Sequence, residues 1–202
     1  MLVPKMKNTP SSLPFLGAFT LLLLSIFNPS MLAKAEVNST TFVHDTCNKF
    51  QYDQLYKLCI PEIDSDPRED LKSNLTGILI IFVNYSISNF NNNIAFLQRE
   101  IKSGKLNNET KEMFDGCLDD FERGSDALHE GMHILLTQTG IDATMLPTMS
   151  IVNYVEDCVD FYEGEPIPPE WQSRYDTSMN LLSLILATSN LMKCNRDIAC
   201  IP

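Results

Sequence analysis

The stretch KEMFDGCLDDFERGSDALHEGMHILLTQ, residues 111–138, decides the fold. It contains no proline, and apolar or small side chains recur at Phe114, Cys117, Phe121, Gly124, Leu128, Met132 and Leu135, three or four apart. Side chains at that spacing stand on one face of an α-helix, so the stretch predicts a long helix with one buried stripe. After Gly140 and Pro147 the spacing resumes at Thr148, Ile151, Val155, Cys158 and Tyr162, which predicts a second helix returning along the first. The midpoint between Cys117 and Cys158 falls at Thr137 and Gln138, beside the turn. Antiparallel helices then bring the two sulfurs opposite each other, and the pair is expected to bond. A bridge closing so long a loop stabilises by about 4 kcal/mol in the chain-entropy picture.

Upstream lies the clearest helical run of the chain: Ile80, Val83, Ile87, Phe90, Ile94, Leu97 and Ile101 form a sustained seam. Its other face holds Asn84, Ser88, Asn91, Asn92 and Gln98, polar and hardly charged. Gly104 to Asn108 makes a short connection, with Asn107 or Asn108 as the cap of the next helix and Glu109 in its first turn. Downstream, a Gly164-Glu-Pro-Ile-Pro-Pro break precedes a last helix that starts at Pro168 or Pro169. Its stripe is Trp171, Tyr175, Ser178, Leu182, Ile185, Ser189 and Met192. No stretch alternates with period two for long enough to read as a strand, so the chain is all-α. Four long helices joined by short turns give an up-down-up-down four-helix bundle over 67–193. Residues 36–66 precede it as a small helical hairpin and linker, in which Val43, Cys47, Phe50, Leu55, Leu58 and Cys59 form short helical patterns closed by a Cys47 to Cys59 disulfide. Residues 194–202 form a tail with one more pair, Cys194 and Cys200.

Residues 1–35 read as a secretory signal peptide: Lys5 and Lys7, an apolar run from Leu13 to Phe27, then Ala33-Lys34-Ala35 before the expected cut. The mature chain would hold about 167 residues, enough for one core in one domain. The whole chain has net charge −11, and the leader takes away three lysines and no acid. The mature protein therefore carries 12 basic against 26 acidic side chains, a net of −14. Such acidity argues against nucleic-acid and anionic-membrane partners and for a basic protein partner. All six cysteines follow the leader, as expected for disulfides in an oxidising compartment. Sequons at Asn38, Asn74, Asn84 and Asn108 fit a glycosylated secreted protein, although Asn84 sits inside a predicted helix.

Few residues could carry chemistry. His129-Glu130-Gly131-Met132-His133 matches a zinc-peptidase motif, with two imidazoles one turn apart, Glu130 as base and Glu156 of the next helix as a conceivable third ligand. Against it, Leu136 stands where the extended motif has glycine, and no strand is present to line a cleft. The buried stripe of Leu128, Met132 and Leu135 leaves His129 and His133 on its flanks. No metal, cofactor or catalytic residue is therefore expected. Asp115, Asp119, Asp120 and Glu122 read as an acidic, solvated helix face.

Together, the leader, the hairpin with Cys47 and Cys59, and the bundle with Cys117 and Cys158 on adjacent helices resemble the plant invertase inhibitor and pectin methylesterase inhibitor family. Thr46-Cys47, Cys117-Leu118 continuing to Phe121 and Ala127-Leu128, and Cys158-Val-Asp-Phe-Tyr-Glu-Gly164 are similar to its local motifs. The resemblance covers Val43 to about Met192 and implies a secreted, monomeric protein of the cell wall that masks a pectin methylesterase or an acid invertase. The chain departs from the family at Met149-Ser150-Ile151-Val152, where small residues are usual, and in the wider spacing of its first cysteine pair. The invertase inhibitors' Pro-Lys-Phe is missing from the turn 139–147, where Asp142, Met145 and Leu146 are the candidate contacts. Asp119 and Asp120 are the candidates on the helix face. A bundle that has lost inhibition is the alternative, followed by the zinc peptidase.

Overall fold

The computed structural model describes residues 39–50, 52–137, 148–160 and 168–194, without the side chains of 159, 160 and 194. The regular elements are α1 Ser39–Cys47, α2 Asp53–Ser65, a 3-10 turn Glu69–Ser73, α3 Leu75–Lys102, α4 Asn108–Thr137, α5 Thr148–Asp160 and α6 Pro169–Cys194. No strand occurs among the described residues.

Asn74 begins α3: its backbone is extended and its side-chain Oδ1 accepts from the Gly77 N–H at 2.8 Å. That bond satisfies one of the amides the first turn leaves open. Gly104, at φ +68°, turns the chain where a side chain would be strained. Asn107, one of the two cap candidates, then accepts from the Thr110 N–H at 2.7 Å to start α4.

In the bundle α3 packs on α4 and α6, and α5 packs on α4 and α6, so the helices follow one another around a ring in chain order. The directions alternate. Phe90 meets Phe121 at 4.8 Å between ring centroids while the later Phe96 meets the earlier Phe114 at 6.2 Å, as antiparallel neighbours must. Cys117 and Cys158 bridge α4 to α5 with Cα atoms 4.6 Å apart. At the centre Trp171 is fully buried, stacked on Phe96 at 5.9 Å and edge-on to Phe121 at 5.4 Å. Such contacts are worth about 0.5–1.5 kcal/mol each beyond area burial.

The α1–α2 hairpin, tied by Cys47 and Cys59 with Cα atoms 5.8 Å apart, packs on the 3-10 turn, α3 and α6. It changes the burial of α3. Every residue from Gly77 to Val83 is buried, because the hairpin and turn cover the side that α4 and α6 leave open. A Cβ on Gly77 would collide with the Leu71 carbonyl oxygen. Further along, Phe96 and Asn93 take inner positions while Ile87 and Ile94 are half-buried. The inner arc of α3 therefore faces two neighbours and is broader than the single seam expected from the spacing. Between the hairpin and the bundle, Asp66 is buried and bonded by the Arg68 guanidinium and backbone N–H. That bonding holds its carboxyl below the usual carboxylate range.

Candidate functional site

Charge divides the bundle into unlike faces. α4 carries eight carboxylates against Lys111 and Arg123, and α5 carries three against no base, so the pair holds a net −9. On α3, Arg99 and Lys102 outweigh Glu100, and on α6 the charges cancel. Because α4 and α5 are neighbours in the ring, the acidity of the four bundle helices gathers on one side of it.

On this side the expected acidic stripe splits in two. Asp119 is exposed and pairs with Arg123, one turn on, as Asp115 pairs with Lys111 at 3.0 Å. Asp120 instead turns inward, with the Arg123 guanidinium 3.7 Å away. Burial pushes its carboxyl up from the ordinary range; Arg123 opposes the shift, and Asp157 of α5 and Asp119 add to it. Its place on the solvated face is thus corrected: residue 120 lies a quarter-turn closer to the Phe121 stripe than residue 119 does. Arg123 also stands over the Tyr154 ring of α5 at 5.7 Å, joining the two helices at the surface above the Cys117–Cys158 bridge.

At one end of the α4–α5 pair, Leu136 and Met149 are 67% and 61% exposed. They flank the turn that holds Asp142, Met145 and Leu146, which lies outside the described residues, as do Asn38 and Cys200. Asn74, Asn84 and Asn108 are all exposed. His129 and His133 are exposed on α4, and His129 Nδ1 donates to the Ser125 carbonyl at 2.8 Å. The α4–α5 register, set by the bridge and by Ile151 beside Gly124, puts Glu156 opposite residue 119. That is roughly 15 Å along the helix from His129. The three are not brought together, and no three metal-ligating groups converge among the described residues.

One cluster was not foreseen. Asn93, fully buried on α3, donates to Ser178 Oγ of α6 at 3.0 Å; Ser178 donates to Asn89 Oδ1 at 2.7 Å, and Arg174 reaches Asn93 Oδ1 at 3.3 Å. A satisfied polar pair inside a helix seam sets register rather than chemistry. The signal was Asn93 standing midway between the seam residues Phe90 and Leu97. A groove of about 650 Å³ between the hairpin and α6 is lined by Phe50, Leu55 and Leu191, with Lys49, Tyr52 and Asp53 at the hairpin side.

The α4–α5 pair offers an acidic surface with two exposed apolar side chains at one end. The family model of plant invertase/pectin methylesterase inhibitors matches residues 41–188. A cell wall / vacuolar inhibitor of fructosidase 2 from Arabidopsis thaliana is 24% identical over 133 residues, covering 59% of this chain and 72% of that protein. Among solved structures, mutant form A of a pectin methylesterase inhibitor from Arabidopsis superposes with a TM-score of 0.58 at 18% identity, over 71% of this chain and 92% of the other. A pectin methylesterase inhibitor from Arabidopsis thaliana superposes with 0.53 at 18% identity, over 76% and 96%. At such identity the structures establish the fold alone.

Proposed function

The chain belongs to the plant invertase/pectin methylesterase inhibitor family, and from that premise we propose that it is secreted and inhibits a basic cell-wall enzyme, a pectin methylesterase, by laying its α4–α5 face over the substrate cleft. The supporting observation is the net −9 gathered on two adjacent helices. Such a field steers a cationic partner and orients it before contact. Exposed Leu136 and Met149 at the end of that face add apolar contact area. The disulfide beneath keeps the two helices in register, so little conformational freedom is lost when an interface of roughly 1,600 Å² forms. The protein acts by occupying the enzyme and carries out no reaction itself. Acid invertase is the second reading, favoured by the likeness to an inhibitor of fructosidase. In that case the turn holding Asp142, Met145 and Leu146 enters the active site, without the cation that Pro-Lys-Phe provides.

The test is titration of purified mature protein against both enzymes at low and at moderate salt. Inhibition of the methylesterase should weaken as salt rises, since exposed charges are screened over about 8–10 Å at such ionic strengths. Asp119→Lys should weaken it at low salt more than Met145→Asp does; the reverse order would point to the invertase mode. If neither enzyme is slowed at micromolar protein, the inhibitor reading fails.

A further inference from the structure

We propose that Asn84 carries an N-linked oligosaccharide that covers the outward face of α3. This rests on secretion, as in the reading above. Asn84-Tyr85-Ser86 is an acceptor sequon whose two ends the fold places in opposite surroundings. Asn84 is exposed on the outside of α3, whereas Ser86 is fully buried and its Oγ has no hydrogen-bond partner among the described residues. Its helix neighbours Phe82, Val83 and Phe90 are buried and apolar. A buried hydroxyl without a partner is destabilising, and alanine would fill nearly the same space without that penalty. Packing thus gives no reason for a hydroxyl at residue 86. Glycosylation does, because the hydroxyl is needed while the chain is still extended, before α3 forms and buries it.

A second observation points the same way. No charged residue lies between Leu75 and Gln98, although the chain as a whole has net charge −11. The exposed positions of this run, Asn84, Ser88, Asn91, Asn92 and Ala95, are all uncharged. Soluble surfaces ordinarily keep charges of both signs interspersed. A covalent oligosaccharide solvates such a face without them. Asn74, the acceptor of the neighbouring sequon, is compatible with a second chain: its cap uses Oδ1, and attachment would use Nδ2.

In the transfer, Asn84 Nδ2 gives up one proton and bonds to the anomeric carbon of the oligosaccharide. The bond from that carbon to the diphosphate of a lipid-linked donor breaks, and the lipid diphosphate leaves. α3 packs on α4 and α6 and stands across the ring from α5. A glycan at Asn84 therefore closes the α3 face to protein partners and leaves the acidic α4–α5 face open.

The experiment uses the full chain secreted from plant cells, digested and treated in heavy-oxygen water with an amidase that converts glycosylated asparagine to labelled aspartate. Residue 84 should be labelled in the wild type and in Ser86→Thr, and unlabelled in Ser86→Ala. Unglycosylated wild type and Ser86→Ala, refolded from bacteria, should differ in the opposite sense to a structural role: the alanine variant should melt at the same or a higher temperature. Asn84→Gln should leave inhibition of the target enzyme unchanged. An unlabelled Asn84 in the wild type, a lower melting temperature for Ser86→Ala, or a change in inhibition for Asn84→Gln would each overturn the proposal. If the wild type inhibits neither enzyme, the functional reading has failed, and the labelling and melting results still decide this one.

Discussion

Replacing Gly124 by alanine sets two effects of known sign against each other. Gly124 lies inside α4, where alanine gains about 1 kcal/mol of helix propensity over glycine. A Cβ there would stand 2.5 Å from Phe90 Cε1, 3.2 Å from Phe90 Cδ1 and 3.5 Å from Ile151 Cγ2. Ordinary carbon contacts begin near about 3.5 Å, so the Phe90 ring must retreat by roughly 1 Å. It has nowhere to go. Phe90 is fully buried with its centroid 4.8 Å from that of Phe121, which itself packs 5.4 Å from Trp171. Overpacking of this kind costs about 1–3 kcal/mol, and the absence of free space favours the upper half of that range. The net expectation is a loss of about 1–2 kcal/mol, or about 3–6 °C in Tm for a domain of this size. Thermal and urea unfolding with the disulfides intact would measure it. Combining Gly124→Ala with Phe90→Leu, which makes room, should recover part of the loss as a favourable coupling energy. If Gly124→Ala alone proves as stable as the wild type or more so, the close approach of α3 to α4 is not what holds glycine at this position.

Two further expectations concern the α4–α5 pair. Burial raises the Asp120 carboxyl above its ordinary range, so the stability it contributes is complete below its unfolded-state value and is lost as pH rises through the higher folded-state value. Asp120→Asn should therefore flatten the fall in Tm between about pH 4 and pH 7, and a wild type that becomes more stable relative to this variant over that interval would contradict the sign. Removing Cys117 and Cys158 together as alanines should lower unfolding free energy by about 4 kcal/mol against roughly 3 for Cys47 and Cys59, in line with sequence separations of 41 and 12. Urea midpoints in the reverse order would show that the hairpin, not the α4–α5 pair, limits the fold.

Local period and cysteine position were enough to read α4, α5, the bundle topology and both bridges seen here. The reason is that each depends on one repeating direction of burial along a helix. Of the predicted stripe, Phe114, Cys117, Phe121, Gly124, Leu128 and Leu135 are buried as the spacing requires, and Met132 is half-buried against the core. Where a helix meets more than one neighbour, period no longer suffices. Gly77 to Val83 are buried on every side because a hairpin from a distant part of the chain closes over them, and no repeat within α3 encodes that cover. Asn93 follows the polar Asn91 and Asn92 in sequence, yet it is a buried donor because Ser178 of α6 stands opposite. Asp119 and Asp120 are adjacent in sequence, yet only the packing of α5 against α4 makes one a surface ion pair and the other a desolvated carboxyl beside Asp157. The acidity of α4 and α5 can be counted from the residues, but its concentration into one face follows from their adjacency in the ring. A sequence repeat reports the mean direction in which a helix is buried, and the number and chemistry of the neighbours it meets there are decided by the tertiary packing.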